Sequence, residues 1–389
     1  MAARFDTSGF TDALWGQMRA GYVLGMVGLL PVAVALALVL AVPCRAEVSV
    51  IVGDPAGRVA KEPDPDRVNE PFAVAFDAEG RMYGVEYTRG NRLFRVAADG
   101  AVEFVAGRFH VSKHGDVFPP DAATAAADVR FHGLHDVAIG RDGIVFVADT
   151  FNHRIRSFDP ATRSVAVVAG TGEAGFSGDG GPAVTAVFKQ AYCGSLVPAG
   201  DALLVADIGN HRLRQVSLRD DTAVTIVGNG TAGKPVDGAA ALATPLSGPR
   251  AACMTADGTI YLALREGNAL VEIRNGAVRT VVNAAGKAGY GGDDGPGREA
   301  LVAGPKYVAL DRAGRVLIAD TENHCIRRYD PESGTITTVA GVPTKAGMAI
   351  GADLRSTQLA RPHGCMIAPD GRLVIADSDN DRILAGPAD

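Results

Sequence analysis

The sequence predicts an all-β fold, a six-bladed β-propeller of four-stranded antiparallel blades. Three observations carry this. One phrase recurs along the chain: VADTFNHR at 147–154, VADIGNHR at 205–212, IADTENHC at 318–325 and IADSDNDR at 375–382. Its carboxylates, Asp149, Asp207, Asp320 and Asp377, are spaced by 58, 113 and 57 residues. A fixed period marks stacked supersecondary units, with one unit skipped in the double step. Second, no segment after residue 46 shows a sustained helical stripe of apolar residues. Short runs of Val, Ile, Thr and Tyr are instead separated by Gly, Asp and Pro turns, the pattern of antiparallel strands. Third, the last unit ends after three strands, and EVSVIVG at 47–53 resembles the outermost runs VEFVAG at 102–107 and TITTVAG at 335–341. The N-terminal strand can therefore complete the sixth blade and close the ring.

The skipped unit is a worn copy, DGTIYLALREGN at 257–268, and a second worn copy, MYGVEYTRGNRL, lies at 82–93. The six units begin near residues 71, 134, 192, 249, 305 and 362. Each opens with an apolar alternating run and turns at Asp-Gly, as at Asp142-Gly143, Asp257-Gly258 and Asp370-Gly371. A run rich in Val, Ile and Ala leads to the Asn-His-Arg turn. A third run, a second turn and a β-branched fourth run ending in Gly follow. Period and length agree: residues 47–389 are enough for six units of about 57 residues.

Composition bounds the function classes. The net charge is −6, and the first 46 residues hold three Arg and two Asp, so residues 47–389 carry −7. That balance excludes nucleic acid as an expected partner, because phosphate binding needs basic patches. Residues 20–44 are uncharged, Arg19 precedes them, and Cys44-Arg45-Ala46 places small residues at the −3 and −1 positions before Glu47. Residues 1–46 read as a signal peptide or a membrane anchor, and residues 47–389 as the propeller. Either reading puts the propeller outside the cytoplasm, periplasmic or secreted, with the membrane touched only through an uncleaved N-terminal segment. Cys193, Cys253, Cys325 and Cys365 fall in four different blades. Such thiols suit burial, although an oxidising compartment permits bridges.

A residue type present in most blades is expected to hold the blade together. Asp149, Asp207, Asp320 and Asp377 can accept from turn N–H groups and from the Arg that ends the phrase, Arg154, Arg212 or Arg382. His153, His211 and His324 read as turn residues. The informative positions break the repeat. Aligning the blades on the start of the first strand, where Pro71, Pro249, Pro305 and Pro362 recur, gives Phe72, His135, Cys193, Arg250, Lys306 and His363 as the next residues. These six should ring the channel mouth on the face that also carries the Asn-His-Arg turns and the Gly-rich linkers, the top. Tyr192 and Tyr307 flank them, and His132 lies near the end of the preceding linker. The longest linker, residues 108–130, contains His110 and His114 and is expected to cap the top. Arg250 and Lys306 suit a carboxylate or phosphate.

The repeats resemble NHL repeats, whose Asn-His-Leu turn appears here as Asn152-His153-Arg154 and Asn210-His211-Arg212. AGTGEAGFSGDGGPA at 169–183 is similar to the linker of bacterial NHL proteins and of the teneurin propeller. The resemblance implies fold more than function, because NHL propellers host binding proteins and enzymes. In the peptidyl-hydroxyglycine amidating lyases, propellers of this type, Pro-His at the ring position of three blades supplies a zinc triad. Leu134-His135-Asp136 and Pro362-His363-Gly364 resemble two of those motifs, and Cys193 could stand for the third ligand. The resemblance thus implies zinc at His135, His363 and Cys193. Calcium at Asp179, Asp293 and Asp294 of the Gly-rich linkers is a weaker expectation, since the ordered spacing of a dedicated calcium loop is lacking. Two functions are expected from these features. The leading one is a binding module presenting a site for a protein, peptide or small anionic ligand on its top face. The alternative is a metal-dependent lyase or hydrolase, amidating-lyase-like or lactonase-like, built on His135, His363, Arg250 and Lys306.

Overall fold

A computed structural model describes residues 47–54, 59, 61–97, 99–116 and 124–388, apart from the side chain of Cys193. The expectation for residues 1–46 lies outside the described residues. Six antiparallel sheets are present, and among the described residues the only helices are three-residue 3-10 turns. The blades begin with the strands Pro71–Phe76, Leu134–Ile139, Ala191–Leu196, Pro249–Met254, Pro305–Leu310 and Gly364–Ile367. These first strands touch in succession round the ring, and the sixth touches the first. Ser49–Val52 pairs antiparallel with Arg382–Pro387, so the N-terminal strand does complete blade 6.

Two sheets have five strands instead of the expected four. Gly181–Pro182 pairs with the outer strand Thr222–Val227 of blade 3, and Gly295–Pro296 with Thr335–Ala340 of blade 5. Both short strands come from the Gly-rich linkers, which run along the outer edge of the blade they lead into and cover it.

Five of the six blades are pinned by a buried carboxylate at the end of the second strand. Asp149 accepts from His132 N at 2.7 Å, Asp207 from Lys189 N at 2.8 Å, Asp320 from Ala303 N at 2.7 Å and Asp377 from Ala360 N at 2.7 Å. Glu86 takes the role in blade 1, accepting from Asn69 N at 2.7 Å. The turn Asn adds a second donor, with Asn152, Asn210, Asn323 and Asn380 each reaching its own Asp within 3.0 Å. Burying an ion costs several kcal/mol unless it is paired and hydrogen-bonded, and these donors meet that requirement. In blade 4 the position is Leu264, and a cavity of about 250 Å³ lined by Leu264, Gly267 and Asn283 adjoins it.

The arginine partner is corrected. In blades 2, 3 and 5 the buried guanidinium comes from the third strand, seven residues after the Asp, and not from the Arg that ends the phrase. Arg156 lies 3.0 Å from Asp149, and Arg214 lies 3.8 Å from Asp207. Arg154 and Arg212 instead donate to linker carbonyls, those of Thr171 and Asn229. Blade 6 keeps the expected pair, Arg382 to Asp377 at 2.7 Å. The alternation of side chains explains the change. The third strand begins at Arg154, so positions 154 and 156 share a face, and the second of them sits deeper beneath the Asp. Arg214 and Arg327 are shared with linker carboxylates, Asp179 at 2.8 Å and Asp293 at 2.5 Å. Those linker carboxylates are thus engaged by buried arginines. Among the described residues no three His, Cys, Asp or Glu gather as a metal site.

The turn residue after the Asn ties each blade to the next. Asn91, His153, His211, Asn268, His324 and Asp381 all have φ between 48° and 58°. The residue opening the following blade is also left-handed: Gly133, Gln190, Gly248, Gly304, Arg361 and, round the ring, Glu70. Five of these junctions carry a bond. Gly133 N donates to Asn91, Gln190 N to His153 Nδ1, Gly304 N to Asn268, Arg361 N to His324 Nδ1, and Glu70 N to Asp381. At the blade 3–4 junction, His211 Nδ1 is buried without a partner among the described residues. Cys253, Cys325 and Cys365 are buried free thiols.

Asp377→Ala leaves the Arg382 guanidinium buried without its counter-ion and should cost about 3–5 kcal/mol in denaturant unfolding. Arg154→Ala, which removes a hydrogen bond to a linker carbonyl, should cost about 1 kcal/mol. Asp320 supplies a pH signature. Burial pushes its carboxyl up to about 7, against its hydrogen bonds and Arg327. Unfolded, it titrates near ~4. The native chain therefore holds a proton that the unfolded chain has released, and this contribution is complete below pH ~4 and lost as pH rises to about 7. Asp320→Asn should flatten the fall of unfolding free energy across that window, measured by denaturant titrations at each pH.

Candidate functional site

In five blades the first strand delivers its second residue to the top of the channel, and in blade 6 His363 does so just before its strand begins. In five blades the residue before the ring position precedes the last residue of the second strand by 15 positions, as Pro71 pairs with Glu86, Leu134 with Asp149, Pro249 with Leu264 and Pro305 with Asp320. In blade 3 the partner of Asp207 is Ala191, 16 residues back. The hairpin between the first two strands of blade 3 holds one extra residue. The ring position of that blade is therefore Tyr192, which corrects the alignment that gave Cys193. The Cys193 side chain lies outside the described residues.

The ring is Phe72, His135, Tyr192, Arg250, Lys306 and His363, and every member is at most 6% exposed. Its contacts are continuous. Phe72 stacks on His363 with centroids 3.8 Å apart and meets the edge of His135 at 5.1 Å. His135 meets Tyr192 edge-on at 4.2 Å, and the Arg250 guanidinium lies over the Tyr192 ring at 3.8 Å. Lys306 Nζ is 3.2 Å from His363 Nε2 and 3.0 Å from Glu322. His135, His363, Arg250 and Lys306, expected as the site, are thus brought together.

The hydrogen bonds fix both imidazoles. His135 Nδ1 lies 2.8 Å from the Gly133 carbonyl, which can only accept. Nδ1 therefore carries the proton, and Nε2 presents a lone pair. His363 Nε2 accepts from the Lys306 ammonium, so its Nδ1 carries the proton, and that atom is buried without a partner among the described residues. Burial, then the nearby cations Arg250 and Lys306, holds both rings well below the usual histidine range, so both are neutral at neutral pH. Burial and Arg361 also push Lys306 down to about 8, with Glu322 opposing.

Beneath the ring, Tyr307 donates to Asp136 at 3.2 Å from the opposite side of the channel, blade 5 to blade 2. Burial raises the Asp136 carboxyl well above its usual range. Above the ring, the half-buried rings of Tyr87 and Phe151 lean on His135 at 4.6 Å and 5.5 Å. His132 packs on Phe151 at 5.1 Å, on the rim of the mouth and not in the ring. The linker does lie over the top of blade 1: Ser112 N donates to Thr88 O, and Asn91 to His110 O. His114 reaches Gln190 at 2.9 Å.

These donors do not fit zinc. His363 Nε2 is taken by Lys306, and two cations share the ring with the imidazoles. Of the described donors only His135 Nε2 is presented as a metal would need it.

The sequence reading missed Tyr87 as a site residue. The position after the carboxylate is Thr150, Thr321 or Ser378 in blades 2, 5 and 6, and each hydroxyl donates to the first strand of the next blade, at Ala191 O, Pro362 O and Pro71 O. Tyr87 breaks that series, and the break was readable in the sequence.

The NHL-repeat family model matches residues 303–329, the junction into blade 5 and its first three strands. The human NHL repeat-containing protein 2 is 26% identical over 342 residues, covering 80% of this chain and 46% of that protein. The Arabidopsis thaliana chloroplastic protein SUPPRESSOR OF QUENCHING 1 is 27% identical over 252 residues, covering 62% of this chain and 24% of that protein. The chain thus spans less than half the length of these relatives. A crystal structure of an auxiliary nutrient binding protein from Bacteroides ovatus matches with a TM-score of 0.60 at 16% identity, covering 87% of this chain and 76% of that one. At that identity the likeness shows fold alone. The chain is thus a six-bladed β-propeller that carries an NHL repeat at residues 303–329 and is similar to NHL repeat-containing proteins over most of its length.

Proposed function

We propose that the propeller is an extracytoplasmic binding module whose channel mouth holds a small anionic ligand. The observation that carries this is Arg250. The residue is 5% exposed and its guanidinium lies over Tyr192, yet among the described residues it makes no hydrogen bond or ion pair. The guanidinium thus faces the channel mouth with five donors and no acceptor from the described residues, and a carboxylate or phosphate there makes charge-assisted bonds. Lys306 adds a second cation from the adjacent blade, balanced by Glu322 at the rim. The nutrient-binding role named for the Bacteroides ovatus protein is consistent with a ligand-holding propeller. The extracytoplasmic placement rests on the signal-like composition of residues 1–46.

Thermal unfolding with acetate, citrate and inorganic phosphate tests the reading. A ligand at one hundred times its Kd should stabilise the protein by about 2.7 kcal/mol. Arg250→Met, which keeps the side-chain length without the charge, should abolish that shift while leaving the ligand-free melting temperature unchanged or higher. Stabilisation by none of these anions, or an equal shift in Arg250→Met, would sink the proposal. The purified protein should also hold no stoichiometric zinc. One zinc per chain, lost in a His135→Ala, His363→Ala double variant, would favour the metal-dependent lyase or hydrolase instead.

A further inference from the structure

Four polar groups at the channel mouth lack hydrogen-bond partners among the described residues: the Arg250 guanidinium, His135 Nε2, and the hydroxyls of Tyr87 and Tyr192. They come from blades 4, 2, 1 and 3. None of the four is among the polar atoms wholly shut away from solvent. Among the described residues, single buried atoms elsewhere also lack hydrogen-bond partners, such as Ser195 Oγ and His211 Nδ1, but at the mouth four groups from four blades converge where solvent reaches them, the arrangement of a ligand site.

Their chemistry restricts the occupant. Arg250 can only donate, so it requires an acceptor and favours an anion. His135 Nε2 can only accept, because Gly133 O fixes the proton on Nδ1, so it requires a ligand O–H or N–H. Both groups border the same phenol: Arg250 lies over the face of Tyr192 at 3.8 Å, and His135 meets that ring at 4.2 Å. The two groups flank one phenol, so a single small molecule carrying both an anionic group and a donor can reach both. The tyrosine hydroxyls serve as either donor or acceptor beside them.

The walls are distributed unevenly. Blades 1, 2 and 3 supply Phe72, Tyr87, Phe151 and Tyr192, whereas blades 4 and 5 supply Arg250 and Lys306. Tyr87 and Phe151, half-buried at the rim with centroids 6.0 Å apart, give the occupant an apolar side. Aromatic faces attract flat or C–H-rich rings and gain little from a short aliphatic acid.

We propose that the ligand is a ring-bearing hydroxy acid, its carboxylate on Arg250, a hydroxyl donated to His135 Nε2 and its ring against Tyr87 and Phe151. This inference rests on the anionic reading above and extends it to the rest of the ligand. Sugar acids and hydroxylated aromatic acids share this chemistry, and the experiment separates them.

Isothermal titration of the full chain compares six probes: glucuronate, 4-hydroxybenzoate, benzoate, cyclohexanecarboxylate, acetate and glucose. Glucuronate or 4-hydroxybenzoate should bind at least about tenfold more tightly than acetate, which lacks the ring, and than glucose, which lacks the carboxylate. Which of the two binds identifies the source. His135→Leu should erase the preference for 4-hydroxybenzoate over benzoate, or for glucuronate over cyclohexanecarboxylate, yet keep the carboxylate-dependent binding. Tyr87→Ala should erase the preference for the ring-bearing acid over acetate. Melting temperatures of both variants check that each is folded. Phe151→Leu repeats the ring test at a residue outside the junction bonds should Tyr87→Ala fail to fold. Acetate binding as well as the ring acids would overturn this inference and leave the anionic reading standing. Glucose binding as tightly as glucuronate would overturn both. Retention of the hydroxyl preference in His135→Leu would overturn the assignment of that hydrogen bond.

Discussion

The structure depends on one interaction repeated round the ring, a buried carboxylate at the end of a blade's second strand. It reaches back to an N–H group at the opening of its own blade, sideways to the turn Asn, and down to a buried arginine. Fixing the second strand against the opening segment sets where the first strand begins. That start places the ring residue over the channel. The carboxylates lie away from the mouth, yet in five blades they fix which side chain lines it. The left-handed turn residue that follows carries the same register into the next blade, so the ring positions are linked in series.

Blade 4 shows what happens when the pin is missing. Leu264 and Val271 replace the ion pair with apolar contact, a replacement that buried ion pairs often tolerate. Its opening is also where the junction bond from His211 fails. Arg250 thus stands in the blade that has no carboxylate pin, with its guanidinium packed over Tyr192.

The fold was legible because the repeat is written in residue types that can do only one job. An Asp followed by Asn and a left-handed residue specifies a turn, and four such turns with two worn copies at one period specify six blades. The ring was legible by counting from those turns, and it held for His135, Arg250, Lys306 and His363. It slipped in blade 3 because one extra residue in a hairpin is invisible to counting and shifts the count from Tyr192 to Cys193. The buried arginines were misplaced for a different reason. Arg154 and Arg156 both fit a salt bridge by sequence distance, and only strand depth distinguishes them. Tyr87 was passed over because its blade lacks the Asp that set the register elsewhere. The open valences of the mouth could not be read at all, since a hydrogen bond that is not made leaves no mark in the sequence.

The closing strand gives the folding route a direction. Ser49 bonds to Ala385 across 336 positions of chain, whereas most pairings lie within one blade. Drawing such distant segments together early costs the greatest loss of chain entropy, so this pairing forms once the intervening blades have already brought the ends near. Until then, the strand Arg382–Pro387 presents a bare edge with buried-type side chains, including Ile383, Leu384 and Ala385. That edge accepts any strand of the right pattern, and at high concentration the nearest candidate is residues 49–52 of another copy. Exchange of that strand would link chains into dimers or strings without altering a single blade.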